Sequence, residues 1–316
     1  QRDSVVALDV FRHVAASISS RDKPFFTVQR NKELKEWPRM DLLRTCPHIF
    51  LDWCFIRELP EMLECPKLKI LQLNSQGNYL KIPDNLFVQM QELKVLNLGG
   101  LNSPSLPASL SLLTNLQALY LCKCILEGIA IVGEITSLEI LNLEKSELRE
   151  LPVEIGGLSN LRLLDLPDCS TLGVIPRNMI SSLTSLEELY MGNCNVQEEV
   201  KRSKSQSIDS CLSELRHLNR LTILNVQIED ASDFPRDYLG FGRLESYRIL
   251  IGDGWKWSGV ESGNYVTSRL LKLNLGADPS ILMDYGIKML MAKAEDIYLA
   301  ELKGVREVLY ELNDEG

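Results

Sequence analysis

The sequence predicts an α/β solenoid bent into a horseshoe, with a parallel β-sheet on its concave side and short helical or irregular segments on its convex side. Three observations lead there. A Leu-x-x-Leu-x-Leu pattern recurs along most of the chain at spacings of mainly 22 to 26 residues. In six of these units an apolar-Pro pair follows eight or nine residues after the last Leu position. Finally, 316 residues is more than one ordinary globular core encloses, whereas a stack of repeats grows without that limit.

Taken in chain order, the pattern opens with a degenerate copy at Cys46/Ile49/Leu51. It continues at Leu68/Leu71/Leu73, Leu93/Leu96/Leu98, Leu116/Leu119/Leu121, Leu138/Leu141/Leu143, Leu161/Leu164/Leu166 and Leu186/Leu189/Met191. The same frame is read at Leu221/Leu224/Val226, Leu244/Tyr247/Ile249, Leu270/Leu273/Leu275 and Ala294/Ile297/Leu299, giving about eleven repeats. The spacing and pattern are those of a leucine-rich repeat. In each, x-Leu-x-Leu-x is a short strand whose period of two sends the leucines inward and their neighbours outward. One strand cannot bury its leucines alone, so neighbouring coils must stack.

The apolar-Pro pairs are Leu59-Pro60, Ile82-Pro83, Leu106-Pro107, Leu151-Pro152, Ile175-Pro176 and Phe234-Pro235. Proline has no N–H for a ladder and holds its predecessor extended, so the chain turns there and returns along the convex side, as in 153–158. Cys54, Cys124, Cys169 and Cys194 each stand three residues after the last strand position, a slot that points into the stack. They read as small buried hydrophobes, and reduced buried thiols favour a cytoplasmic or nuclear address. Cys122-x-Cys124 has no second Cys or His pair to complete a zinc site. Two insertions interrupt the period: 196–211, a polar solvated loop in which neighbouring glutamates weaken a nuclear-localisation reading of Lys201 to Lys204, and 252–268, whose Trp255, Trp257 and Tyr265 read first as cover for a wide repeat junction and second as an exposed binding loop.

Function classes are narrowed by what the chain carries. A net charge of −9 repels a phosphate backbone, so nucleic acid is not an expected partner. Cys122 to Ile135, the most apolar stretch, is too short to span a bilayer and is broken by charges. No secretory signal is legible in the first sixteen residues. Neither a phosphate-cradling Gly-x-x-x-x-Gly-Lys-Ser/Thr loop nor a Gly-x-Ser-x-Gly elbow occurs, and His13, His48 and His217 are not spaced for metal or for nucleophile activation. The reading is a non-enzymatic chain without cofactor or metal.

Surface remains. The residue between the last two apolar positions of each repeat points out of the sheet, giving Phe50, Gln72, Asn97, Tyr120, Asn142, Asp165, Tyr190, Asn225, Arg248, Asn274 and Tyr298. Tyr and Arg are enriched where interfaces concentrate their energy, so Tyr120, Tyr190, Arg248 and Tyr298 are the candidate contacts, and with Asn142 and Asp165 of the same column they make the candidate protein-binding set. Glu139, Glu144, Asp165, Asp168, Glu187 and Glu188 fall on three adjacent repeats with Lys145 and Arg162 among them, a region suited to a basic partner surface.

Two stretches resemble a known family. Leu8-Asp9-Val10-Phe11-Arg12-His13-Val14-Ala15-Ala16-Ser17-Ile18 looks like the Met-His-Asp segment of plant coiled-coil-class nucleotide-binding leucine-rich-repeat resistance proteins. Glu58-Leu59-Pro60-Glu61, Glu64-Cys65-Pro66-Lys67-Leu68, the stretch from Tyr247 through Trp255 to Asn274, and Glu295-Asp296-Ile297-Tyr298-Leu299 are similar to the repeats of those receptors. The resemblance implies a remnant helix of the nucleotide-binding module over 1–22 and a repeat domain over 23–316. It implies a pathogen effector or guarded host protein as partner, and restraint of the nucleotide-binding module. The motif's Met and His fall on Ala7 and Leu8 and only Asp9 matches, so nucleotide binding is not expected, and Asp9 is a remnant of that switch. The C-terminal end, reached shortly after a strand without a polar cap, reads as that of a fragment or truncated product. An intracellular repeat scaffold unrelated to immunity is the alternative. Leu151 to Leu158 fits it equally, whereas Arg12 to Ile18 and the Trp255 stretch do not. Extracellular ectodomains fit less well, because their Asn-rich ladder is missing and their Gly-x-Ile-Pro pattern does not recur, standing only at Gly173-Val174-Ile175-Pro176.

Overall fold

The computed structural model describes residues 25–75, 80–194, 212–229, 231, 234–236, 238–252, 255, 268–274 and 279–301. Its centre is one parallel sheet built from twelve strands: β1 (Phe25–Val28), β2 (His48–Cys54), β3 (Ile70–Ser75), β4 (Val95–Asn97), β6 (Ala118–Tyr120), β8 (Ile140–Asn142), β9 (Leu163–Asp165), β10 (Glu188–Met191), β11 (Ile223–Ile228), β12 (Ser246–Ile251), β13 (Arg269–Asn274) and β14 (Asp296–Ala300). β5 (Asn102–Ser105) and β7 (Ile125–Gly128) pair beside it. Every pairing in the large sheet joins neighbouring coils in chain order. Parallel strands need a crossover between them, and here the crossover is the convex return of each coil.

Register explains why the repeat pattern folds this way. Ile49, Leu71, Leu96, Leu119, Leu141, Leu164, Leu189, Leu224 and Tyr247 lie opposite one another from strand to strand, all fully or almost fully buried. Each full burial of such a side chain contributes about 1.5–3 kcal/mol, obtained only when the next coil is in place. Tyr247 takes a leucine's place by donating its hydroxyl to the Leu290 carbonyl on the convex side. That side holds α1 (Met40–Leu43), α2 (Met179–Ser182), α3 (Tyr285–Lys293) and 3-10 turns such as Ala108–Leu112 and Val153–Gly157. Pro107 and Pro152 sit just before those two turns in extended conformation, φ −68° and −71°. The apolar partners of the six prolines are all buried.

Seven strands of the large sheet leave it through a left-handed residue. Trp53, Gly100, Lys123, Lys145, Asp168, Asn193 and Glu301 stand two residues beyond the last inward position of their strands, with φ between 45° and 75°. A non-glycine residue in this conformation costs about 1–2 kcal/mol. The backbone N–H groups of Gly100, Lys123, Lys145 and Asp168 offset it by donating to the next coil at 2.9–3.0 Å. One residue later comes the inward slot. Cys124, Cys169 and Cys194 donate their thiols to the carbonyls of Leu98, Leu143 and Leu166 in the preceding coil at 3.0, 3.0 and 2.9 Å. Ser146, in the same slot, donates to the Leu121 carbonyl and accepts from the Cys124 N–H. The thiols are therefore part of the stacking ladder. Burial pushes Cys65 and Cys169 up to about 12 and Cys124 to about 11, far from the thiolate form.

The structure differs from the sequence expectation at both ends. A coil precedes the first expected repeat: Phe26 and Val28 on β1 pair with Ile49 and Leu51. At the other end the frames Leu270/Leu273/Leu275 and Ala294/Ile297/Leu299 are displaced. Ile249 lies opposite Leu271, and Leu271 opposite Ile297, so Leu271 and Leu273 face the core and Leu270 faces out. The alternation Leu270-Leu271-Lys272-Leu273 fits two frames, and pairing with β12 selects the one that buries Leu271. The remnant helix expected over 1–22 with Asp9, and the insertion over 196–211, lie outside the described residues, as does most of 252–268.

Candidate protein-binding surface

The concave face is ruled by rows running across the strands. At its entrance edge Lys69, Lys94, Gln117, Glu139, Arg162, Glu187, Thr222 and Glu245 form a row in which each backbone N–H donates to the carbonyl of the residue before it in the row, starting from Pro47. Within it Gln117 donates to Glu139 at 3.2 Å, and Arg162 reaches Glu139 at 3.6 Å and Glu187 at 2.9 Å. The Arg162 guanidinium is held further toward its charged form, first by its hydrogen bond to Glu187. A shallow groove of about 440 Å³ runs beside this row, lined by Asn115, Ser137, Asn160, Arg162 and Arg220 among others.

The second row is apolar: Ile70, Val95, Ala118, Ile140, Leu163 and Ile223, flanked by Phe50 and Tyr120. It forms a small core of its own on the concave side. Sequence reasoning missed it, because only the position between the last two leucines was read as outward, whereas the residue two before it points the same way. One carboxylate interrupts the row. Glu188 stands between Leu163 and Ile223, is buried, and accepts the Tyr190 hydroxyl at 2.8 Å.

The third row holds five of the six expected contacts. Tyr120, Asn142, Asp165, Tyr190 and Arg248 lie in register through Asn225. Asn142, Asp165 and Tyr190 are buried, Tyr120 and Arg248 half-buried. Asn142 donates to Asp165 and accepts from the Cys122 thiol at 3.1 Å and the Glu144 N–H at 2.9 Å. Burial first, then Cys122 and Asp165, pushes the Tyr120 hydroxyl well above the ordinary tyrosine range, and burial lowers the Arg248 guanidinium. Tyr298 is not in this row. The residues at Arg248's level on the last strands are Leu270 and Asp296, while Asn274 lies opposite Ala300.

Tyr298 belongs to a fourth row, with Gln227, Leu250 and Lys272, one outward position further along. It is 51% exposed, the most open of the six. The Lys272 ammonium lies 5.1 Å from its ring centre and 5.5 Å from that of Trp255. Of the acidic residues singled out, Glu144 and Asp168 share Lys145 at 2.8 and 4.0 Å, and Glu139 and Glu187 share Arg162, so β8, β9 and β10 carry two ion-paired rims around buried Asp165 and Glu188. Among the described residues no group of three or more His, Cys, Asp or Glu is arranged to hold a metal, and no helix is long and apolar enough to cross a membrane.

No protein-family model matches this chain, and no curated protein does. Solved structures match it in shape. An internalin of Listeria monocytogenes superposes with a TM-score of 0.55 at 14% identity, over 84% of this chain and 66% of its own. A TDR receptor superposes with 0.51 at 17% identity, over 87% of this chain and 47% of its own. Together with the stacked parallel strands, that likeness decides the fold. The chain is a leucine-rich-repeat solenoid. This solenoid spans less than two thirds of the length of either structure, and at such identities what is shared is the fold.

Proposed function

We propose that this solenoid is the protein-recognition domain of an intracellular plant immune receptor, whose concave face meets a pathogen effector or guarded host protein and which restrains the receptor's nucleotide-binding module. One observation carries the recognition reading: twelve parallel strands present continuous outward rows, and their half-buried or open members include Tyr120, Arg248, Lys272 and Tyr298. Aromatic and cationic side chains fixed on rigid strands are the groups that give interfaces their energy. Asn142, Asp165 and Tyr190 serve this surface by holding its rows in place.

The immune part of the reading is supported by the stretches at 8–18, 58–68, 247–274 and 295–299 that resemble the resistance proteins, and by the buried thiols, which suit a reducing cytoplasm or nucleus. The test is affinity capture from healthy and infected plant tissue, with the wild-type chain and a Glu139→Lys/Glu187→Lys variant of the entrance row. A partner enriched after infection, or a receptor's nucleotide-binding module, retained by the wild type and lost by the variant, is the expected result. An identical set of proteins from both tissues, equally retained by both chains, refutes it.

A further inference from the structure

Resting on the protein-recognition reading, we propose that Trp255, Lys272 and Tyr298 form an anchor for an acidic side chain of the partner, presented by an extended segment that crosses the last strands of the concave face. Lys272 on β13 and Tyr298 on β14 are directly opposite in register, so they stand on adjacent strands roughly 4.8 Å apart. Trp255 completes the set on the β12 side. It is fixed at two points: its indole N–H donates to the Ile251 carbonyl at 3.1 Å, and its own carbonyl accepts from the Gln227 side-chain amide at 3.1 Å. The ammonium is thus held between two ring faces before any partner arrives.

Among the described residues no carboxylate serves as its counter-ion. Lys67, Lys145, Arg162 and Arg269 each have a carboxylate within 2.7–2.9 Å. Among the described residues Lys272 has none within ion-pair distance, its contacts being the two rings. An ammonium carries three donors, and ring faces attract the charge without accepting those hydrogens linearly, so a carboxylate is the group that completes the site. The centre of the same face has the opposite character, with Glu139, Glu144, Asp168 and Glu187 on its rims. An acidic segment is repelled there and attracted to the β12–β14 end, which sets its position along the solenoid.

Selection of a random dodecapeptide library on the whole chain tests this. Peptides retained by the wild type are expected to concentrate Asp or Glu at one position, with an amidated C-terminus used in the follow-up so that only side-chain carboxylates are read. Replacing that residue by Asn or Gln should weaken binding about five- to tenfold, the range of a charge-assisted contact that is partly shielded from water. Lys272→Met should show the same loss and Lys272→Arg should retain binding, with unchanged circular dichroism in both. Peptides without acidic enrichment, equal binding by Lys272→Met, or no peptide retained at all each overturn the anchor. The tissue capture described above decides the wider recognition reading separately, because it reads the entrance row and not this end.

Discussion

Leu141→Ala and Leu299→Ala are the same chemical change in the middle of the sheet and on its last described strand, and they should differ about threefold in effect. Leu141 is fully buried between Leu119 and Leu164, which lie opposite it on the two flanking strands. Removing three carbons there forfeits roughly 2.4 kcal/mol of transfer free energy at about 0.8 kcal/mol per carbon. The unfilled cavity adds to this, for a total of about 3–4 kcal/mol. Leu299 is 38% exposed, and water or neighbouring side chains fill the space it leaves, so roughly 1–1.5 kcal/mol is expected. Urea unfolding followed by circular dichroism is the assay. With a slope of about 3 kcal/mol/M for a chain of this size, the midpoint should fall by about 1 M for Leu141→Ala and by less than half of that for Leu299→Ala. Equal shifts at the two sites, or a loss below about 1 kcal/mol at Leu141, would refute a core built from coil-to-coil contacts.

Three further outcomes follow from the same geometry. Arg162→Met should cost about 1 kcal/mol at low ionic strength and clearly less in 1 M salt, because Arg162 joins Glu139 and Glu187 across a partly open row; thermal melts at two salt concentrations check this. Cys65, Cys124 and Cys169 are held protonated by burial, to about 12, 11 and 12, so their contribution to stability is complete below the unfolded thiol value near 8.5 and is lost as pH rises toward 11–12. Unfolding midpoints should therefore decline above about pH 9, and these thiols should resist a thiol reagent at pH 8 until denaturant is added. Gly100→Ala should destabilise by roughly 1–3 kcal/mol, since a Cβ there would meet the Ser75 carbonyl and the Trp53 ring at 2.8 Å in a backbone with φ +75°; a loss under 0.5 kcal/mol by urea titration would contradict it.

The solenoid was legible in the sequence because its core positions are nearly all leucine at a fixed period, from Ile49 to Ile249. Legibility failed where the period is ambiguous or the signal is carried by non-leucine residues. Leu270 and Leu271 offer two frames, and only pairing with Ile249 distinguishes them. Phe26 and Val28 form a coil without the preceding leucine. The inward slot was read from cysteine, so Ser146, which makes the same bond, went unnoticed. Lys123, Lys145 and Asp168 give no local sign of a left-handed turn, since the conformation is imposed by the bond to the next coil. For the binding surface, the pattern identified outward positions and not their exposure. Asn142, Asp165 and Tyr190 point outward yet are buried against neighbouring rows, while Lys272, which the one-position reading of each repeat passes over, is an outward cation between two rings.

Photo-crosslinking from a benzophenone amino acid, placed in turn at Tyr298 on the concave face and at Leu112 on the convex side, compares the two faces in one experiment. Leu112 is 50% exposed and Tyr298 51%, so accessibility is matched. Ultraviolet-dependent protein adducts in plant tissue from position 298, and none from position 112, are the expected result. Adducts from position 112 alone would contradict recognition through the concave face.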